Sequence, residues 1–346
     1  MKKRYVPSRI AIGCPNWIGD AVMATPALRA VRRGFPESHI ALLLKPNISE
    51  LLNGLPFFDE MIPIPADQDF RSLARLAFAL RRKNFDLGLI FTHSFRSAMF
   101  ARLAGVRRRV GYSAQGRGFL LTDALHFPTE GRRKRPQYMG DEYLGIVRYV
   151  GCKATDRSPE LAFTSEAMAR AEELLSLSGT EEERPLVGIA PGAFFGPSKL
   201  WYPERWAAVA DALVDRSEAL VFILTAPVER ELYQQIESNM RTRPAPLRET
   251  PVSLDLLKAI VSELDLLLCT DCGVRHVAVA FGVPTVVIMG PTDPRYTQTE
   301  CEKGVVVRKE VECSPCHKKV CPTDHRCMQR ITPEMVLEAA SGLLPH

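Results

Sequence analysis

The stretch LDLLLCTDCGVRHVAVAFGVPTVVIMGPTDP, residues 264–294, decides the fold. It opens on an apolar run over 264–269, too short to span a membrane and the right length for a strand buried on both faces. Thr270-Asp271-Cys272-Gly273 breaks the run. Val274, Val277, Ala278 and Phe281 then recur at helical spacing until Gly282-Val283-Pro284 stops them, and residues 285–289 resume as a strand. The turn of such a strand–helix–strand unit lies at the carboxyl end of a parallel strand. There the free N–H groups and dipole of a helix start favour an anion such as a diphosphate. A carboxylate repels a bare phosphate, so Asp271 is expected to accept hydrogen bonds from ligand hydroxyls and leave the phosphates to the backbone, Gly273 and His276. That division suits a nucleotide sugar. The plainer alternative is that Asp271 N-caps the helix and His276 is a satisfied, partly buried histidine.

Working outward, the second half of the chain supplies a strand over 186–190, the small-residue loop 191–199, a helix opened by Pro203, a strand over 220–224 and helices over 228–240 and 254–264. Gly192 in that loop allows the backbone to approach a ligand. Lys199 is expected to point toward the same site as Asp271, where an ammonium suits the charge growing on a departing diphosphate. The first half repeats the alternation, with strands over 9–13, 39–44, 60–64, 86–91 and 106–112 and helices over 21–33, 48–53, 70–83 and 137–150. Two parallel sheets with helices on both faces follow. The turn-rich segment after residue 150 places the domain boundary near 165, giving domains 1–165 and 166–346.

No GxGxxG follows the first strand, so its loop is free for another task. Asp20 sits where that loop becomes helix and can take a proton from an incoming hydroxyl, or simply favour the helix dipole. After the strand ending at Phe91, the run Thr92-His93-Ser94-Phe95-Arg96-Ser97 is polar again. Arg96 there suits a carboxylate or phosphate, the alternative being a surface arginine at a helix start. The Gly-rich loop 113–118 is expected to be flexible and to fold over a substrate.

With 46% hydrophobic and 25% charged residues, the chain has the composition of a soluble globular protein, and no apolar window reaches a membrane span. A cytoplasmic location is expected. The net charge is +5, with the basic runs Arg107-Arg108-Arg109 and Arg132-Arg133-Lys134-Arg135, which suit anionic lipid head groups or phosphorylated substrates, or are solvated loops.

Four separated motifs carry a resemblance. Gly19-Asp20-Ala21-Val22-Met23-Ala24-Thr25-Pro26-Ala27-Leu28, Ser94-Phe95-Arg96-Ser97-Ala98, Pro191-Gly192-Ala193 with Phe195-Gly196-Pro197-Ser198-Lys199 and Trp201, and residues 271–276 with Gly290-Pro291-Thr292 resemble the ADP-heptose:lipopolysaccharide heptosyltransferases of glycosyltransferase family 9, of the heptosyltransferase II type. The resemblance runs from about residue 8 to 340. It implies an α/β GT-B fold, two Rossmann-like domains facing across a cleft, the first holding the acceptor and the second the nucleotide-sugar donor. It implies an inverting transfer of heptose from ADP-heptose to the lipid-linked inner core of lipopolysaccharide at the cytoplasmic face of the inner membrane, with peripheral membrane contact and no nucleic acid. Asp20 matches the general base and Lys199 the lysine near the donor phosphates. Asp271 matches the carboxylate near the heptose hydroxyls, with Gly192, Cys272, Gly273 and His276 also in donor loops. Ser94 and Arg96 fall on the acceptor side. The sequence departs at Thr270 and Cys272, where many relatives have Asn and a hydroxyl residue; a thiol is the weaker hydrogen-bond partner. A single displacement needs a base and a stabilised leaving group, so no cofactor is required for the chemistry.

Cys313, Cys316, Cys321 and Cys327 crowd into CSPCHKKVCPTDHRC. A closed structural zinc site, a redox-labile disulfide pair and free thiols all fit, the second pair being spaced more widely than in common zinc ribbons. A last amphipathic helix is expected over 331–344. Other readings remain: a different nucleotide-sugar transferase or an epimerase, or an inactive interaction scaffold marked by the cysteines and basic runs.

Overall fold

The computed structural model describes residues 6–65, 69–131, 133–176, 184–246 and 252–344, and the chain divides into two compact units, Met1–Glu160 and Leu161–His346. The first contains β1 (Arg9–Gly13), α1 (Ile18–Gly34), β2 (His39–Leu44), α2 (Pro46–Leu52), β3 (Glu60–Pro63), α3 (Phe70–Leu80), β4 (Leu87–Ile90), α4 (Phe95–Leu103), β5 (Arg108–Tyr112), β6 (Asp123–Leu125), the short hairpin β7 (Thr129–Glu130) and β8 (Arg133–Lys134), and α5 (Met139–Tyr149). Its six-stranded parallel sheet has the order β3-β2-β1-β4-β5-β6. The central strands are near-continuous apolar runs because both faces are covered; every residue of β4 is buried. Strand order reverses between β1 and β4; α1 packs with α2 and α5, and α3 with α4, as expected when crossovers on either side of a reversal place their helices on opposite faces.

The second unit contains α6 (Ser165–Ser176), β9 (Leu186–Ala190), α7 (Pro203–Ser217), β10 (Leu220–Ile223), α8 (Arg230–Asn239), α9 (Leu254–Ser262), β11 (Leu266–Thr270), α10 (Gly273–Phe281), β12 (Thr285–Ile288), β13 (Gly304–Val307), α11 (Arg326–Gln329) and α12 (Pro333–Ser341). Its parallel order is β10-β9-β11-β12-β13, reversing between β9 and β11. The expected strand–helix–strand unit is β11-α10-β12. Gly282 ends α10 at φ +74°, a conformation costly for any residue with a Cβ. In open α/β sheets ligands bind beyond the carboxyl ends of strands at such reversals. The loops after β1, β4, β9 and β11 are therefore where each unit can hold one.

Several elements depart from expectation. α6, α11, β6, β13 and the β7-β8 hairpin were not anticipated, and α4 only as a helix start at Arg96; the short strands show no period. The loop 113–118 is pinned rather than open, because the fully buried Arg117 donates to the carbonyls of Tyr112, Thr92 and Ser94. Two of the three arginines of the run 107–109 are structural, while Arg107 stays exposed. Arg107 lies near Asp86, Arg108 pairs with Asp123, and Arg109 donates to the carbonyls of Leu120 and Val106. In the second run Lys134 pairs with the buried Glu142, while Arg132 lies outside the described residues. No helix among the described residues is long and apolar enough to cross a membrane.

α1 continues through Pro26, whose missing N–H leaves the Val22 carbonyl without its helical donor. The Thr25 hydroxyl donates to that carbonyl at 2.8 Å and accepts the Glu160 N–H at 2.9 Å. Thr25→Val keeps the shape and strands both groups. It is expected to cost about 1–3 kcal/mol in urea unfolding. An unchanged midpoint would show that the helix tolerates the proline unaided.

Candidate active site

In the second unit the site is built around one carboxylate. β11 ends at Thr270, whose hydroxyl donates to the Gly192 carbonyl at 2.6 Å and so ties the loop after β9 to the loop after β11. Asp271 follows, only 6% exposed. Its Oδ2 accepts from Lys199 Nζ at 2.6 Å and from the Thr292 hydroxyl at 2.9 Å, and its Oδ1 accepts from Arg275 Nη1 at 3.1 Å. Lys199 also donates to the Asp271 carbonyl at 3.0 Å, and its ammonium stands 4.9 Å from the centre of the Phe195 ring. Burial alone would push the Asp271 carboxyl up, but Lys199 and Arg275 outweigh it and hold the group well below the usual carboxylate range. Arg275 is wholly buried and forks onto Glu302, with both bonds at 2.7 Å. Burial works against the Arg275 charge, and Glu302 more than restores it.

This geometry answers two sequence expectations. The N-cap of α10 is Cys272, not Asp271, so Asp271 is not a routine helix cap. Asp271 also does not confront a ligand as a bare negative charge, because two cations meet it and a second acid, Glu302, balances Arg275. The four charges sum to zero. His276 is buried, and its imidazole is pushed down to about 4, first by burial and then by Arg275. It is neutral at pH 7 and can offer a ligand one N–H but no charge. The Cys269 thiol, hydrogen-bonded to Cys272, pulls the Cys272 thiol below its ordinary value against burial. Gly192 has a further reason to be glycine: a Cβ there would meet Glu229 Oε1 at 1.9 Å. Sequence reasoning gave no role to Arg275 or Thr292, though both lie in the quoted motifs, and missed Glu302 altogether. Arg275, four residues after Asp271 on one helix face, was visible as a spacing.

In the first unit the candidate residues lie at the helix starts that follow β1 and β4, the strands flanking the reversal. Asp20 lies in the first turn of α1, half-buried, where the helix dipole favours its charge. It lies close enough to Tyr143 that, after burial, its charge is the next cause raising that phenol. Ser94 is the N-cap of α4 and accepts the Ser97 N–H at 3.2 Å. Arg117 braces this turn, donating to the Ser97 hydroxyl at 3.1 Å as well as to the carbonyls already named. Burial pushes the Arg117 guanidinium down to about 10, still charged at pH 7. Arg96 is exposed on the first turn of α4.

The four clustered cysteines do not form the zinc site that their number allows. Cys313, Cys316, Cys321 and Cys327 are free thiols, and no group of three or more His, Cys, Asp or Glu among the described residues is arranged to hold a metal ion. Cys327 is carried by α11 into the hydrophobic core and Cys313 is exposed, yet Cys313, Cys316 and Cys321 all lie near enough to Cys327 to help raise its thiol.

Residues 73–326 match glycosyltransferase family 9 (heptosyltransferase). The chain is 27% identical to lipopolysaccharide heptosyltransferase 2 of Escherichia coli K12 over 350 residues, which cover 97% of this chain and 98% of the relative. It is 28% identical to lipooligosaccharide heptosyltransferase 2 of Haemophilus influenzae over 353 residues, covering 95% and 97%. Among solved structures it is similar to the ADP-heptose LPS heptosyltransferase II of E. coli, with a TM-score of 0.78, 25% identity and coverage of 97% and 98%, and it has the same GT-B architecture.

The depressed Asp271 carboxyl sets a pH dependence. Its contribution to stability is complete above its unfolded pKa of about 3.9 and is lost as pH falls through the lower folded value. Asp271→Asn leaves Lys199 and Arg275 short of a counter-charge and is expected to destabilise the protein by about 3 kcal/mol at pH 7. Below about pH 3.9 the gap from wild type should narrow by about 1.4 kcal/mol per pH unit. Denaturant titrations across that range check it; a constant gap would show that the charge of Asp271 is not what holds the cluster.

Proposed function

Because the chain belongs to glycosyltransferase family 9, the heptosyltransferase family, we propose that it transfers heptose from ADP-heptose to the inner core of lipopolysaccharide with inversion, as a heptosyltransferase of the second type. The observation that carries this reading at the site is the buried Lys199 ammonium, fixed on Asp271 at the strand-order reversal of the second unit and next to the start of α10.

The donor diphosphate lies against the amides at the start of α10, at Cys272 and Gly273, with His276 as a neutral donor and the Gly192 loop beside it. Two of the Lys199 N–H groups are spent on Asp271, leaving the ammonium to face the leaving ADP, whose charge grows as the bond to the sugar breaks. Asp271, anchored by Arg275 and Thr292, holds that ammonium in place and offers its remaining lone pairs to heptose hydroxyls. In the first unit Asp20 removes the proton from the acceptor hydroxyl as its oxygen attacks the anomeric carbon. Attack from the side opposite the diphosphate inverts the configuration; ADP departs and Asp20 returns its proton to solvent. Ser94 and Arg96 receive an anionic group of the acceptor, the guanidinium matching a phosphate or carboxylate in two-point contact. Because the acceptor is lipid-linked, we place the reaction at the cytoplasmic face of the inner membrane through peripheral contact. No cofactor supplies a step.

The test is ADP release from ADP-heptose with and without a heptose-bearing inner-core acceptor. Wild type should release ADP only with acceptor. Asp20→Ala should lose about 10²–10⁴-fold in rate, the range for a general base, while its affinity for ADP-heptose stays within about twofold, since Asp20 lies outside the donor loops. Acceptor-independent release, or full activity in the variant, would contradict the reading.

A further inference from the structure

The cysteine-rich segment 313–328 has no part in the chemistry above, yet it touches both loops that grip Asp271. Ser198 precedes Lys199 in the short turn Pro197–Lys199 and is only 2% exposed. Each of its polar groups is satisfied by this segment. Its N–H donates to the Lys319 carbonyl at 3.0 Å, its hydroxyl donates to the Lys318 carbonyl at 2.5 Å, and its carbonyl accepts His325 Nε2 at 2.7 Å. Gly196, at φ +153°, completes the fit, since a Cβ there would meet the Lys319 carbonyl oxygen at 2.5 Å. The same segment holds the Thr292 loop. The Pro291 carbonyl accepts the N–H groups of Cys316 and His317 at 3.0 and 2.9 Å, and the Gly290 carbonyl accepts the Ser314 hydroxyl at 2.6 Å. Its far end is fixed in the core, where Cys327 and Met328 pack so close to Gly290 that a Cβ would approach Met328 Sδ to 2.5 Å.

Both side chains that donate to Asp271 Oδ2, Lys199 and Thr292, thus hang from one clip. Two of its bonds to Ser198 come from backbone carbonyls, which almost any sequence supplies. The third needs a particular side chain. A carbonyl only accepts, so His325 carries its proton on Nε2 and donates. His325 itself sits at φ +59°, a region histidine tolerates better than most side chains.

We propose that segment 313–328 is a clip for the donor loops and that His325 is a positioning residue for Lys199, acting through the Ser198 carbonyl. The role in turnover rests on the donor reading of Lys199; the role in holding Lys199 does not. Two readouts separate them. The first is the rate at which acetic anhydride acetylates Lys199, read by peptide mass on the intact protein without donor. His325→Ala should raise that rate about fivefold, the effect of losing one average hydrogen bond. His325→Gln, which keeps a donor at about the same reach, should restore it to within about twofold, and Ser198→Ala should raise it by about threefold. The second readout is steady-state kinetics: KM for ADP-heptose should rise in His325→Ala by about the same fivefold factor, with KM for the acceptor unchanged.

A wild-type acetylation rate in His325→Ala with native circular dichroism would overturn the clip, as would His325→Gln behaving like the alanine variant. If His325→Ala does not fold, the labelling rates of Ser198→Ala and His325→Gln decide by the same criterion. Altered labelling in a set of proteins that never turn over ADP-heptose would uphold the clip and reject the donor reading instead.

Discussion

A carboxylate taken out of water is costly unless cations and hydrogen-bond donors replace its hydration, and Asp271 is the place where the second unit meets that demand. Lys199, Arg275 and Thr292 supply the replacement, and each comes from a different part of the chain: the loop after β9, the first turns of α10 and the loop after β12. Arg275 creates the same demand again and meets it with Glu302, just before β13. The Thr285 hydroxyl, at the start of β12, donates to Glu302 at 3.0 Å. Gly304 lets β13 close against that strand, since a Cβ there would stand 2.5 Å from the Thr285 carbonyl oxygen. Removing any one charge strands another. The position of the Lys199 ammonium is therefore set by the sheet as a whole and not by its own turn.

Topology places this network where a ligand can reach it. In each unit the strand order reverses once, and the loops on either side of that reversal carry the candidate residues: Asp20 with Ser94 and Arg96 in the first, Gly192 and Lys199 with residues 271–276 in the second. The two units solve the same bracing problem differently. In the first, one buried arginine, Arg117, donates to two carbonyls of the polar turn after β4, those of Thr92 and Ser94. In the second, the bracing comes from backbone groups and one histidine of a segment more than a hundred residues downstream of Lys199 in sequence.

Much of this was legible in the sequence because parallel strands buried on both faces are short apolar runs and their loops are short and polar. The unit β11-α10-β12 appears as expected to within two residues, and Asp20, Ser94, Lys199 and Asp271 all lie in the loops, or the first turns after them, that follow strand carboxyl ends. What was not legible depends on distant partners. Arg275 reads as a routine helix residue until Glu302 is brought to it by the packing of β13. For Asp271 the helix-cap alternative stays open until the backbone shows Cys272 in that role. The basic run at 107–109 reads as a surface patch, whereas β5 turns two of its three guanidinium groups onto an aspartate and onto carbonyls. The clustered cysteines left zinc, a disulfide pair and free thiols open, because spacing alone does not show which thiols meet or that one of them enters the core; they are free thiols. β6 and β13 escaped notice because three or four residues carry no period.

That Lys199, poised on Asp271, holds the donor diphosphate is tested most directly by calorimetric titration of ADP-heptose into wild type and Lys199→Met. The methionine keeps the aliphatic stem and leaves Asp271 bonded to Arg275 and Thr292. The expected result is a loss of affinity of about tenfold or more, as befits a charge-assisted hydrogen bond to phosphate of about 1.5–3 kcal/mol. Equal affinity in the two proteins, both folded, would contradict it and move the donor site away from Asp271.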